Sequence, residues 1–279
     1  MGRSPVSQAD KGRAFRALHA RDRAFIIPNP WDPGTARLLA SLGFEALATT
    51  SAGHAFSQGV VDGAVDRDAI LAHVASIVAA TDLPVSADLE NGFGDDPADV
   101  AATIRAAAAT GLAGGSIEDV TRGADGRIYE IAHAAERLRA AVEAARSLPA
   151  PFTLTARAEN FLHGRPDLAD TIARLQAFQD AGADVLYAPG LRTAAEITTV
   201  VRSVDRPVNV VMGLQGAQLD LAALSAMGVK RVSVGSALTR AALGAFLRAA
   251  REMRDRGTFT FAEDAVSYRE ISAMFGSTR

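Results

Sequence analysis

The sequence predicts a closed (β/α)8 barrel, and three features carry that prediction. Ala-rich helical stretches alternate with short apolar runs along nearly the whole chain; four of the helix-to-run transitions are marked by a glycine; and the apolar runs number eight. Strict alternation of this kind requires right-handed crossovers and a parallel sheet covered by helices.

The four glycines are Gly43, Gly111, Gly182 and Gly228, in LLASLGFEALATTSA, RAAAATGLAGGSIED, FQDAGADVLYAPG and LSAMGVKRVSVGS. Glycine just past a helix takes the left-handed conformation that closes the last turn, so each segment reads as a helix stop followed by a buried strand. The other runs are AFIIPNPW, LPVSADLE, APFTLTARAE and RPVNVVMG, and the eight strands are expected to begin near Phe25, Phe44, Pro84, Gly111, Phe152, Asp184, Val208 and Arg231. A doubly wound open sheet is the alternative, but at eight units closure removes both sheet edges. A helix is expected over about 7–20, the barrel over about 25–250 and a helical tail over about 258–275, in one domain spanning 1–279.

The 279 residues suit a barrel, which commonly takes about 250. With 48% hydrophobic and 22% charged residues the composition is that of a globular protein. A net charge of -3 leaves no basic surplus for nucleic acid or an anionic membrane, so neither is an expected partner. No apolar stretch reaches the roughly 18 residues that span a bilayer, and the first residues lack a signal-peptide core, so the expected compartment is the cytoplasm. The absence of cysteine excludes disulfides, thiolate zinc sites and cysteine nucleophiles together.

Active sites of parallel barrels lie at the carboxyl ends of the strands, which directs attention to TTSAGH, ADLENGFG, IEDVTRG and ARAEN. Asp88 and Glu90 lie two apart, so in an extended strand both project from one face, about 7 Å from each other. Glu118 and Asp119 end the next run, on a strand about 5 Å away. Carboxylates this crowded need a proton or a cation among them, and an all-oxygen donor set favours Mg2+, with Mn2+ second, over zinc. The other reading is that these acids cap helices or form surface ion pairs. The turn Gly92-Phe93-Gly94 lets the chain bend away from such a site.

Arg157 has two readings: it clamps a substrate carboxylate through paired hydrogen bonds, or it neutralises Glu159 and the acidic cluster. Ser51, Ala52 and Gly53 suit a cradle of backbone N–H groups for a carboxylate or oxyanion; the plain reading is an ordinary turn. His54 and His163 are expected in rim loops, as acid/base groups or as solvated residues, whereas His19, His73 and His133 fall in helical windows. Trp31 is expected to pack. Loop 120–127, with two glycines, Arg122 and Arg127, suits a lid over a small anion or a solvated connection.

Taken in order, Ser51-Ala52-Gly53, SADLENGFG, GGSIED and TARAEN resemble the isocitrate lyase/phosphoenolpyruvate mutase superfamily across about residues 25–246. The resemblance implies a barrel whose eighth helix is exchanged within a homodimer or homotetramer. It implies Mg2+ held directly by Asp88, with Glu90, Glu118 and Asp62 holding it, often through water. It also implies a substrate bound by Arg157 and by the cradle of Ser51, Ala52 and Gly53, with Arg157, Glu118 and Ser51 as the catalytic set.

Two departures narrow the chemistry. The stretch VTRGADGRIYE has no counterpart of the cysteine that the isocitrate and methylisocitrate lyases use as acid/base. Val120 follows the IED motif and Tyr187-Ala188-Pro189 follows the sixth strand, where phosphoenolpyruvate mutases carry a lysine and a histidine. The resemblance is therefore to cysteine-less members of the oxaloacetate-decarboxylase type. The expected function is a Mg2+-dependent lyase for a small anionic 2-oxo or 2-hydroxy (di)carboxylate acting through an enolate. Phosphonopyruvate-type mutase or hydrolase chemistry is the alternative, and a non-catalytic carboxylate-binding barrel is a reading of another class.

Overall fold

The computed structural model describes residues 6–122, 126–213 and 218–276. Eight parallel strands, β1 (Phe25–Ile27), β2 (Leu47–Ala48), β3 (Val85–Asp88), β4 (Gly114–Glu118), β5 (Thr153–Arg157), β6 (Val185–Tyr187), β7 (Val208–Val211) and β8 (Arg231–Ser233), form one sheet in the order β1-β8-β7-β6-β5-β4-β3-β2. The seam between β1 and β2 is bridged where Ala48 N–H donates to the Pro28 carbonyl at 3.1 Å. The architecture is the expected (β/α)8 barrel.

A buried amide fastens that seam at the mouth. Asn29 Nδ2 donates to the Thr49 carbonyl at 3.0 Å, and Asn29 Oδ1 accepts from the Val234 and Gly235 N–H groups at 2.9 and 3.0 Å. One side chain thus joins the ends of β1, β2 and β8. Each buried backbone group it satisfies would cost about 1–3 kcal/mol if left unpaired.

The helices follow their capping chemistry. Helices α2 (Pro33–Ser41), α4 (Arg67–Ala79), α7 (Leu168–Asp180), α8 (Ala194–Arg202) and α9 (Leu221–Ala226) begin at Asp32, Asp66, Asp167, Thr193 and Asp220, whose side chains accept from N–H groups of the first turn. Pro97 opens α5 (Pro97–Ala109), and α6 (Ile131–Arg146) packs beside it. Gly43, Gly111, Gly182 and Gly228 have φ of 85°, 94°, 102° and 91°, the left-handed helix stops expected of them. Helix α1 (Gln8–His19) closes the foot of the barrel, where Phe15 and Leu18 join Phe25, Ile27, Ala46 and Ala113 in a buried cluster.

Three segments differ from expectation. The chain after β2 forms a short helix, α3 (Ser51–Ser57), in place of a turn, because Thr50 Oγ1 accepts from the Gly53 N–H at 3.1 Å and starts it. His54 is therefore helical and not in a rim loop. The fourth strand begins at Gly114, since Gly111 is used up in stopping α5. The tail is broken: α10 (Ala237–Arg256) stops at left-handed Gly257, and a 3-10 turn (Thr260–Asp264) precedes α11 (Tyr268–Gly276), which Arg37 ties to α2 by donating to the Phe275 carbonyl at 2.8 Å. Among the described residues no helix is long and apolar enough to cross a membrane.

Two histidines are built into this frame as neutral rings. In α1, His19 places Nδ1 2.8 Å from the Phe15 carbonyl and packs edge-on to Phe15 and Phe25. In α4, His73 stacks on His54 at 3.7 Å between ring centres. Burial, with the His54 ring adding and Asp32 opposing, pushes His73 down to about 4; burial and the Arg231 charge push His19 down to about 3. A base with a depressed folded-state pKa stabilises the fold above its unfolded value of 6.5, and that stability is lost as pH falls toward the folded value. His73 alone accounts for roughly 3 kcal/mol between those limits. The substitution His73→Phe is expected to lower the pH midpoint of acid unfolding followed by circular dichroism; an unchanged midpoint would place the acid-sensitive group elsewhere.

Candidate active site

Strand register gathers the polar strand ends into one layer. Glu118 of β4 pairs with Arg157 of β5, and Arg157 with Tyr187 of β6; Glu118 N–H donates to the Glu90 carbonyl at 3.0 Å. Above the layer opens a cavity of about 340 Å³ whose walls include Ser51, Ala52, Asp62, Asp88, Glu90, Glu118 and Arg157.

Arg157 is the hub. Its Nη1 lies 3.0 Å from Asp88 Oδ1, its Nη2 3.2 Å from Glu118 Oε2, and its Nε and Nη2 both 2.8 Å from Glu159 Oε1. The guanidinium lies over the Tyr187 ring, 5.2 Å from its centre. Of its two expected roles, the neutralising one is visible directly. Burial opposes the Arg157 charge, and Glu159, Glu118 and Asp88 outweigh it, so the guanidinium is held more firmly protonated than usual. Burial drives Glu118 well above the ordinary carboxylate range; Arg157 opposes, and Glu159, Asp88 and Glu90 add to the rise.

Asp119 does not join the cluster. Adjacent strand residues face opposite ways, and Asp119 turns outward to Arg174 of α7 at 3.0 Å while its other oxygen accepts from the Glu159 N–H at 2.8 Å. It thereby fixes the backbone that carries Glu159. The extended-strand reading of Glu90 also fails: β3 ends at Asp88, and Glu90 takes φ of 48°, a left-handed value rare for its type. Its side chain nonetheless lines the cavity, pairing with Arg122 at 2.8 Å through Oε2, while Oε1 is buried without a hydrogen-bond partner among the described residues. Burial raises Glu90 to about 7, with Arg122 opposing and Asp88 and Asp62 adding.

Arg122 also donates to the Gly63 and Val65 carbonyls at 2.8 and 2.6 Å and lies over the Phe93 ring at 4.7 Å. It fastens the base of loop 120–127 to the loop after α3. The described part of loop 120–127 is a hairpin base, with Thr121 N–H donating to the Arg127 carbonyl at 2.8 Å; residues 123–125 lie outside the described residues. His163 is exposed at this rim and lines the cavity, and His54 does not.

Ser51 touches Asp88 twice: its N–H and Oγ lie 3.3 and 3.1 Å from Asp88 Oδ2. Ala52 also lines the cavity. Gly53 is set back, its N–H given to Thr50, and a Cβ there would fall 2.6 Å from Thr239 Oγ1, so its lack of a side chain admits α10. Asp62 is exposed at the rim, where partial loss of water and then the Asp88 charge raise its pKa.

No three acidic or histidine side chains among the described residues form a ready-made ligand set, because Arg157 lies between them. The donor chemistry still fits a hard cation. Mg2+ uses one or two carboxylates and keeps several waters, the donors are all oxygens, and Glu90 Oε1 is orphaned.

The profile of the phosphoenolpyruvate phosphomutase family matches residues 15–254. The chain belongs to the phosphoenolpyruvate mutase/isocitrate lyase superfamily. It is an enzyme of that lyase and mutase group. It is similar to a candidate lyase/mutase from Burkholderia cenocepacia J2315, at 67% identity and a TM-score of 0.94 over 97% of each chain. It is 30% identical to the oxaloacetate decarboxylase of Chromohalobacter salexigens over 89% of this chain and 87% of that protein. A phosphonopyruvate hydrolase in complex with oxalate and Mg2+ superposes with a TM-score of 0.84 at 25% identity, covering 96% of this chain and 95% of that one. The superfamily assignment thus stands on most of the chain, as its four strand-end motifs implied.

Sequence reasoning missed Asn29, Asn209 and Arg231, which also line the cavity. The available signal was a polar residue inside an apolar run, as in PVNVV and KRVSV. Replacing Arg157 by Met is expected to destabilise the protein by about 3–5 kcal/mol at pH 7, because it strands three carboxylates. Glu118, already lifted by burial, takes up a proton more readily as pH falls, so urea unfolding at pH 5 should show a smaller loss. Equal losses at both pH values would mean that charge on Glu118 is not the source of the loss.

Proposed function

We propose that this enzyme is a Mg2+-dependent lyase for a small 2-oxo or 2-hydroxy (di)carboxylate of the oxaloacetate type, cleaving or decarboxylating it through an enolate. The observation that carries the reading is the convergence of Asp88, Glu118 and Glu159 on one cationic side chain in a small cavity at the carboxyl ends of the strands. Similarity to an oxaloacetate decarboxylase and to an oxalate- and Mg2+-bound hydrolase supports it.

In this reading Asp88, Glu118, Glu90 and Asp62 would hold the ion; Mn2+ would suit the same donors. When bound, the ion supplies Lewis-acid stabilisation of the oxygen on which enolate charge develops. Ser51 fixes the Asp88 carboxylate through Oγ and N–H. Arg157 exchanges part of its carboxylate contact for a substrate carboxylate, which its planar fork matches; Ser51 and Ala52 form the adjacent wall, with Gly53 set behind them against Thr50. Arg122, in the cavity wall, holds the loop after β4 to the loop after α3.

Carbon-phosphorus chemistry of the phosphonopyruvate type is the second reading, favoured by the likeness to phosphonopyruvate hydrolase. Release of CO2 or an aldehyde from a panel of 2-oxo and 2-hydroxy dicarboxylates should require Mg2+, stop with EDTA, and fall at least about 100-fold in Asp88→Ala. Turnover surviving both treatments would refute the lyase reading. Conversion of phosphonopyruvate alone, seen by phosphorus NMR, would establish the second.

We also propose a homodimer or homotetramer that exchanges α10. In α10 only Thr239 is buried, and Leu238, Leu243, Phe246, Leu247 and Met253 are exposed, Phe246 by 66%. An apolar row of this kind needs a cover. Sedimentation velocity is expected to give an oligomer that Phe246→Glu dissociates; a monomeric parent protein would refute it.

A further inference from the structure

The far wall of the cavity carries a second polar set, on strands that lie across the barrel from β3 and β4. Asn209 of β7 and Arg231 and Ser233 of β8 are buried and line the same cavity as Asp88, Glu118 and Arg157. Arg231 Nε donates to Asn209 Oδ1 at 2.9 Å, and Asn209 Nδ2 donates to Ser233 Oγ at 2.9 Å. Strand pairing runs Arg157, Tyr187, Asn209, Arg231, so one polar band descends from the carboxylate cluster to this wall.

Arg231 differs from the other buried arginines. Arg174 pairs with Asp119 and Asp170, and Arg137 donates to the Asn91, Gly94 and Asp95 carbonyls. Arg231 is 5% exposed, and among the described residues its Nη1 has no hydrogen-bond partner and no carboxylate pairs with it. On the foot side its charge helps keep the His19 ring neutral, and its strand partner there is Phe25. Burial, with the Arg157 charge adding, lowers its pKa only to about 10, so it is cationic at neutral pH. A buried cation without an anion is unfavourable, and the open volume beside it is the cavity.

We propose that Arg231, positioned by Asn209 and Ser233, recognises a second anionic group on the substrate, so that the site selects a dianion over a monocarboxylate 2-oxo acid. The inference rests on reading the cavity as a carboxylate site. The second group is a carboxylate or a phosphonate, which share the oxyanion chemistry that a guanidinium fork binds.

The test is binding, measured by titration calorimetry with Mg2+ present, using malonate, phosphonoacetate and pyruvate as probes. The parent protein should bind one dianion at least about tenfold more tightly than pyruvate, a difference of about 1.4 kcal/mol; whichever is preferred assigns the second group. Arg231→Gln should bring that ratio to within about threefold and leave pyruvate binding unchanged, and Arg231→Lys should restore part of it. No dianion preference in the parent protein overturns the proposal, as does a preference that survives Arg231→Gln or an equal loss for all three probes. If Arg231→Gln fails to fold, the parent ratio and Arg231→Lys still decide. Because no turnover is needed, loss of the lyase reading with an intact dianion preference leaves this inference standing, and the converse result removes this inference alone.

Discussion

The mouth of this barrel depends on one charge balance: the Arg157 guanidinium set among Asp88, Glu118 and Glu159. Three carboxylates from neighbouring strand ends repel one another and lose hydration together, which is why burial lifts Glu118 so far. A planar cation with several N–H donors can serve all three at once, where an ammonium offers a single point charge. The same arrangement keeps a store of negative charge at the cavity wall, held together by one cation.

The surrounding fold keeps that cluster in place from behind and from the side. Asp119 faces outward to Arg174, and its second oxygen holds the backbone of Glu159, so the outer charge pair sets the position of the inner one. Asn29 joins the ends of β1, β2 and β8 at the same level. Arg122 ties Glu90 to the loop after α3 and helps maintain a left-handed backbone at Glu90 that its side chain would not choose in isolation. The Glu90 backbone is also held at both polar groups, its carbonyl accepting from the Glu118 N–H and its own N–H donating to Asp88 Oδ1.

The cavity is electrically asymmetric. Strands β3 to β5 contribute an acidic cluster already holding its own cation, and β8 contributes a cation with which no carboxylate among the described residues pairs. A ligand with negative charge at two ends and a metal ion near one of them would complement both walls. An oxaloacetate decarboxylase and a phosphonopyruvate hydrolase among the proteins this chain resembles are named for acids of that kind.

Local sequence settled the eight strands, the four glycine helix stops and the strand ends that bear Asp88, Glu118 and Arg157, because periodicity, left-handed glycine and strand parity are short-range physics. Which neighbour of a charged pair faces inward was legible only in part. Asp119 and Glu118 share one motif, and the choice between them follows from where β4 leaves the sheet and where Arg174 waits on α7. Glu90 was misread as extended because β3 ends at Asp88 and the chain turns left-handed at Glu90, ahead of the Gly92-Phe93-Gly94 bend. Asn29, Asn209 and Arg231 stand within or just after apolar runs that look like ordinary core strands. Closure of the barrel alone decided that they meet a common cavity with Arg157, since residues far apart in the chain become neighbours only when the strands are wound into a ring.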